Sequence, residues 1–395
     1  MKKIRAWLEI MWRPLIVAII LLAIVGVVFG FKLGSSTNGV STPEQQYVHS
    51  VVSGQGIVNN PSFAIHKVPV YALFKLHVSN IAAYRAVSTV FAVSAVIASF
   101  FILRRWYSNR VAGLGSALLL TSAWTLHVGR LATPESTFLL VLPLLAIFLW
   151  LIDTDSRWAF TIFLLVAGLS LYLPGFVWLI VFFAIWQRKI IRAHYKKSKI
   201  LNKILGGLAV VVALVSIIYA SFQSVNILLV TVGLPTSIPS ASTLLNNAIN
   251  IPRYLFWQGP NDPVRWLGRI PLLDVFSVVM LGLGTYRLRF YKHKNRALLT
   301  VGMASVMAVL IILGGAVTVT ALMPIVYLLI AGGLAFMLQQ WMTVFPRNPI
   351  ARMTGFALMS AVVLLVVYYH TSMYFVAWAR APETRHVFTS ANLLK

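Results

Sequence analysis

Successive apolar runs, most of them long enough to cross a bilayer, are separated by short clusters of arginine and lysine, and this alternation limits what the chain can become. Within hydrocarbon every backbone N–H and C=O must be paired inside the chain, so only helices and closed barrels span it. Unbroken runs of about 20 apolar residues select the helix, because a barrel strand is about half that length and alternates in polarity. With 59% hydrophobic and 10% charged residues, the 395-residue chain is too apolar to cover a soluble surface. Its formal charge of +25 does not mark a nucleic-acid binder, since the basic residues lie between apolar runs rather than on one soluble face. The absence of cysteine excludes disulfides, a thiolate nucleophile and a cysteine-ligated metal.

The first run, Pro14 to Phe31, follows Lys2, Lys3, Arg5 and Arg13 and has no small-residue cleavage pattern after it, so it reads as an uncleaved span. Further runs cover Ile81 to Leu103, Val111 to Val128, Ser136 to Ile152, Ala159 to Trp186, Ile204 to Phe222, Pro271 to Tyr286, Ala297 to Leu313, Ala321 to Gln340 and Met353 to His370. A cytoplasmic amino terminus puts most basic residues inside: Arg104, Arg105 and Arg110, the block Arg188 to Lys203, Arg287 to Arg296, and Arg347 with Arg352. Both flanks of the run Ala159 to Trp186, Arg157 and Arg188, then face inside, which requires two crossings. Tyr172, Pro174 and Gly175 supply the break. The expected architecture is an all-α polytopic bundle of about eleven transmembrane helices in the inner or plasma membrane, its carboxyl terminus outside. It forms one integral membrane domain over residues 1–395, with outer segments at 33–80, 223–270 and 371–395 and no separate soluble domain.

Only eight residues are acidic, and an acid beside a membrane is costly unless solvated, paired or used. Glu9, Asp153 and Asp155 fall in basic cytoplasmic segments. Asp262, Asp274 and Glu383 sit at outer turns or helix ends, where pairing with Arg265 or Arg269 accounts for them. Glu44 and Glu135 remain, each closing the tripeptide Thr-Pro-Glu just outside the first and third spans. Threonine as N-cap, proline at the first helical position and glutamate in the first turn make a helix start, and Gln45 completes a capping box with Thr42. Yet both acids lie on one membrane face near the lone cations Lys67 and Arg130, which makes them candidate catalytic residues.

This order of features resembles the lipid-carrier-dependent membrane glycosyltransferases that include protein O-mannosyltransferases and aminoarabinose transferases and share the C-type glycosyltransferase fold. The similarity rests on Glu44-Gln45-Gln46-Tyr47 opening a long outer loop, then His66-Lys67-Val68-Pro69-Val70-Tyr71, and Arg85 at the second span. It continues through Arg130 with Thr133-Pro134-Glu135, Ile270 to Asp274, and the tail Tyr374 to Trp378 with Pro382 and Phe388. Many members carry two adjacent acids in the first loop, where Pro43 precedes Glu44 here.

The resemblance implies transfer of a sugar from a polyprenyl-phosphate carrier to a hydroxyl acceptor on the extracytoplasmic face, inverting the anomeric carbon. Glu44 would then take the acceptor proton, and Glu135 would orient Glu44 or the acceptor. Arg130, Lys67, His66, Tyr71 and Arg253 would bind the leaving phosphate, whose charge grows in the transition state. No certain cofactor is implied, and the sequence leaves a divalent-metal requirement open. The lipid-linked sugar is the substrate, and His66 has no companion at metal-ligand spacing. Arg85 reads as snorkelling to headgroups, and Trp106, Trp124, Tyr172, Trp178, Trp257 and Trp266 as an interfacial belt. A transporter or lipid flippase is the main alternative, although such proteins keep ionisable groups near the bilayer midplane and no acid falls mid-run here. A non-catalytic scaffold, with both Thr-Pro-Glu motifs serving only as caps, is the third.

Overall fold

The computed structural model describes residues 23–37, 39–156, 158–288 and 294–389. Most of the expected first span, together with Glu9, Arg157 and the end of the tail, lies outside them. Of that span a helix over 23–30 is described. The regular elements among the described residues are all helices, and none is a β-strand.

Among them, six helices are long and apolar enough to cross a membrane: Ile81–Trp106, Pro134–Asp153, Ile200–Gln223, Arg296–Leu313, Val319–Val344 and Pro349–Trp378. The protein is therefore a multi-pass membrane protein. The run 111–128, read as one span, is a pair of helices, Asn109–Thr121 and Ala123–Gly129, bent by 60°. Ser122 makes the bend by leaving the helical region (ψ 132°) while its hydroxyl accepts from the Thr125 N–H and starts the second helix. The break expected in the run 159–186 is present. Ala159–Ser170 and Phe176–Trp186 are separate short helices, and Gly175, at φ +79°, occupies a left-handed position that suits glycine. Eleven crossings would need the bent pair, these two helices, Val275–Leu288 and the first run all to traverse the bilayer. Length and composition establish six, or seven with the bent pair.

The helix within Val319–Val344 is the hub, with 78% of its apolar window buried, whereas Ile200–Gln223 and Pro349–Trp378 show 22% and lie at the periphery. Val275–Leu288 lies directly against the hub. A Cβ on Gly284 would strike the Leu329 carbonyl and one on Gly333 the Met280 carbonyl, so the two backbones touch, as small residues permit in membranes.

At the Glu135 end of the bundle, Thr42–Val52 and Ala64–Lys75 pack on the start of Ile81–Trp106 around Val48, Val51, Val70, Tyr84 and Phe91. Residues 257–273 fold back along Ala241–Phe256, with Leu272 N donating to Tyr254 O (2.9 Å) and Leu273 N to Leu255 O (3.2 Å). The π-helical segment Met373–Trp378 closes over this loop through Trp378 Nε1, which donates to Pro263 O at 3.0 Å.

Candidate active site

The two Thr-Pro-Glu motifs meet. Helix Thr42–Val52 is capped by Ser41, one residue earlier than the sequence suggests, and Glu44 rather than Gln45 closes the box by accepting from the Ser41 N–H and hydroxyl, both at 3.1 Å. The same carboxylate accepts from Arg85 Nε (3.0 Å) and Nη2 (3.1 Å) and from the Ala132 N–H (2.9 Å), three residues before Glu135. Glu44 is fully buried, and Arg85 beside it is 1% exposed. Arg85 does not snorkel. Its remaining N–H groups reach Leu33 O (3.1 Å), Gly39 O (3.0 Å) and Thr37 Oγ1 (3.4 Å). Five donors fill the lone pairs of Glu44, so neither oxygen is open to an incoming hydroxyl.

Glu135 differs. Thr133 stands at the N-cap position of the 3₁₀ turn Pro134–Leu140 without a side-chain cap hydrogen bond, and Glu135 pairs with the loop 257–273. Its Oε2 pairs with Arg265 Nε at 3.1 Å, and Arg265 Nη1 also reaches Asp262 Oδ2 at 3.3 Å. Oε1 of Glu135 has no partner among the described residues, and the side chain keeps 13% of its surface open. Asp262 makes the expected turn, accepting from the backbone N–H groups of Val264, Arg265 and Trp266.

The five expected phosphate ligands divide by what they already hold. Arg130 donates to the carbonyls of Val28 (2.7 Å), Phe29 (2.7 Å) and Phe31 (2.5 Å) and to Tyr374 Oη (3.2 Å), stacked over Phe375. It caps the end of the helix 23–30 and has no donor pointing to solvent, since it is 1% exposed. Lys67 is buried and donates to Gly56 O (3.1 Å) and Asn60 O (2.6 Å), and burial lowers its ammonium to about 8.

His66 sits in a chain whose direction can be read. Ser88 Oγ donates to Thr133 O (3.2 Å), so it accepts from His66 Nε2–H (2.9 Å), and Tyr47 donates to His66 Nδ1 (2.8 Å). Burial lowers this imidazole to about 3 and keeps it neutral. Tyr71 is half-buried, beneath the Lys75 ammonium at 5.4 Å. Arg253 is exposed, and its guanidinium donates to Gln258 Oε1 (2.6 Å). It precedes by one helical turn Phe256, which lines an open apolar groove of 680 Å³ together with Val278, Leu281, Thr285 and Tyr286.

Sequence reading missed three features. Arg265 is the cation that faces Glu135, which only the folding back of its loop reveals. Trp124 and Trp266, assigned to a belt, are buried against each other (5.5 Å), with Trp266 also against His127 (5.4 Å), while Trp257, 82% exposed, fits the belt. Asp274 pairs with neither Arg265 nor Arg269 but with His370 Nε2 (2.9 Å) and the Ser277 hydroxyl (2.5 Å) at the start of Val275–Leu288. No group of three or more His, Asp or Glu is placed to hold a metal ion among the described residues.

No protein-family model matches the chain, and no curated protein matches its sequence. Two solved structures of ArnT from Cupriavidus metallidurans match its fold. The apo form aligns with a TM-score of 0.56 at 14% identity, covering 95% of this chain and 76% of that one. The fold is that of ArnT. A second ArnT structure, bound to undecaprenyl phosphate, aligns at 0.57 and 14% identity over 94% of this chain and 76% of ArnT. The C-type architecture expected from the motifs is thus the one found.

Proposed function

We propose that the protein is a lipid-carrier-dependent membrane glycosyltransferase that moves a sugar from a polyprenyl-phosphate carrier to a hydroxyl acceptor at the extracytoplasmic face. The observation that carries this reading is Glu135, a largely enclosed carboxylate with one oxygen unpaired among the described residues, held against Arg265 of the loop 257–273. The fold it shares with an ArnT that binds undecaprenyl phosphate supports the same assignment.

In this reading Glu135 Oε1 takes the acceptor proton as the new C–O bond forms on the face opposite the departing phosphate, which inverts the anomeric carbon. The base is thereby moved from Glu44, where the sequence put it. Glu44 holds the loop 130–135 and positions Glu135. As the C–O bond to the carrier breaks, the departing phosphate gains a negative charge, which in this reading Arg265 and the exposed Arg253 balance. The prenyl chain lies in the groove along Val278 to Tyr286. Arg130, Lys67 and His66 keep the outer loops in place.

The test is to incubate purified protein with a panel of radiolabelled polyprenyl-phosphate sugars and acceptor lipids or peptides, and to follow free carrier phosphate. Release with one donor is the expected result. Carrier that crosses a proteoliposome bilayer intact, with no donor cleaved, would favour a flippase.

A further inference from the structure

At the end of the bundle opposite Glu135, the helix Arg188–Lys197 joins the short apolar helix Phe176–Trp186 to the membrane helix Ile200–Gln223. One side of it is anchored: Ile190 and Ile191 pack on the core, and His194 Nε2 bonds Leu151 O at 2.9 Å, at the inner end of Pro134–Asp153. Ser198 continues this face by donating to His194 O at 2.8 Å. The other side is cationic. Arg188, Lys189, Arg192, Lys196 and Lys199 are all exposed, and none makes an ion pair among the described residues. Two further cations are already engaged, Lys197 with Asp155 at 2.8 Å and Lys203 over the Tyr195 ring at 3.9 Å.

What brackets this face decides its partner. Immediately before it Ile185 is 70% exposed, and immediately after it Ile200 and Leu201 are 72% and 71% exposed. Apolar side chains so placed belong in acyl chains, which sets the five free cations at headgroup depth. A nucleic acid or an acidic protein would leave those apolar residues in water. We infer that the exposed face of helix Arg188–Lys197 is a binding site for anionic phospholipid headgroups, which fixes the helix in the bilayer surface. Charge placed to retain the chain's topology would need no lipid preference, and this is where the two readings part.

The test uses full-length protein in phosphatidylcholine nanodiscs containing spin-labelled phosphatidylglycerol, compared with spin-labelled phosphatidylcholine. The wild type is expected to select the anionic lipid by at least about threefold, and this preference is expected to collapse in high salt. The variant R188Q/K189Q/R192Q/K196Q/K199Q is expected to lose it. Equal selectivity in wild type and variant would overturn the site. Should the variant fail to insert, photoactivatable phosphatidylglycerol on the wild type decides. Adducts are expected to concentrate in residues 185–204, and adducts confined to other basic segments would overturn the proposal.

Discussion

Arg85 and Glu44 form a two-pronged ion pair inside the protein, Nε to Oε1 at 3.0 Å and Nη2 to Oε2 at 3.1 Å, across 41 residues of chain. Removing one partner leaves the other charged, buried and unpaired, which costs about 3–5 kcal/mol. Arg85→Ala is therefore expected to lower the thermal midpoint of the purified protein by many degrees. The double variant R85M/E44M is expected to recover much of that loss, since no bare charge remains. Differential scanning fluorimetry in detergent checks both.

Arg130 supplies a second contrast. Lysine keeps the charge but cannot serve the three carbonyls of Val28, Phe29 and Phe31 and the Tyr374 hydroxyl together. Arg130→Lys is expected to lose about 2–3 kcal/mol of stability while the KM for the lipid donor stays near the wild-type value. A raised donor KM with unchanged stability would instead make Arg130 a phosphate ligand.

Arg253, exposed and one turn from the groove, should behave in the opposite way. Arg253→Ala is expected to raise the donor KM about tenfold, the loss of one charge-assisted contact, with no change in the thermal midpoint. Steady-state kinetics over a donor titration measure it.

Asp274 gives a pH signature. Burial alone would raise its carboxyl, but the hydrogen bonds from His370 and Ser277 outweigh it and hold the group at about 2, below its usual 3.8. A lowered native value adds stability that is complete above the unfolded value and is lost as pH falls from about 4 to about 2. Asp274→Asn is expected to lower the thermal midpoint at pH 6 and to flatten its dependence between pH 4 and pH 2. An unchanged acid limb would place the acid sensitivity elsewhere.

Where local chemistry sets structure, the sequence is readable. Proline and glycine at 174 and 175 divide one apolar run into two helices, and Pro134 at the first position starts the helical turn after Thr133. The bend at Ser122 has no such marker, because a serine mid-run is as compatible with a continuous helix as with a cap. Pairings across the fold stay hidden for another reason. Glu44 and Arg85 each look interfacial alone, and only the packing of Thr42–Val52 on Ile81–Trp106 removes both from water. Arg130 likewise reads as a headgroup cation until the helix 23–30 brings its carbonyls alongside. Both acids of the repeated motif were visible as a pair. Which of them keeps a free oxygen depends on the packing that brings Arg85, Ser41 and the Ala132 N–H onto Glu44 and only Arg265 onto Glu135, which the residue types do not encode.

The most direct measurement pairs turnover with folding for Glu135→Gln and Glu44→Gln. With a cleaved donor in hand, Glu135→Gln is expected to keep the wild-type thermal midpoint and lose about 10²–10⁴ in kcat, whereas Glu44→Gln is expected to lose stability first. A folded Glu135→Gln protein that releases carrier phosphate at the wild-type rate would contradict the account.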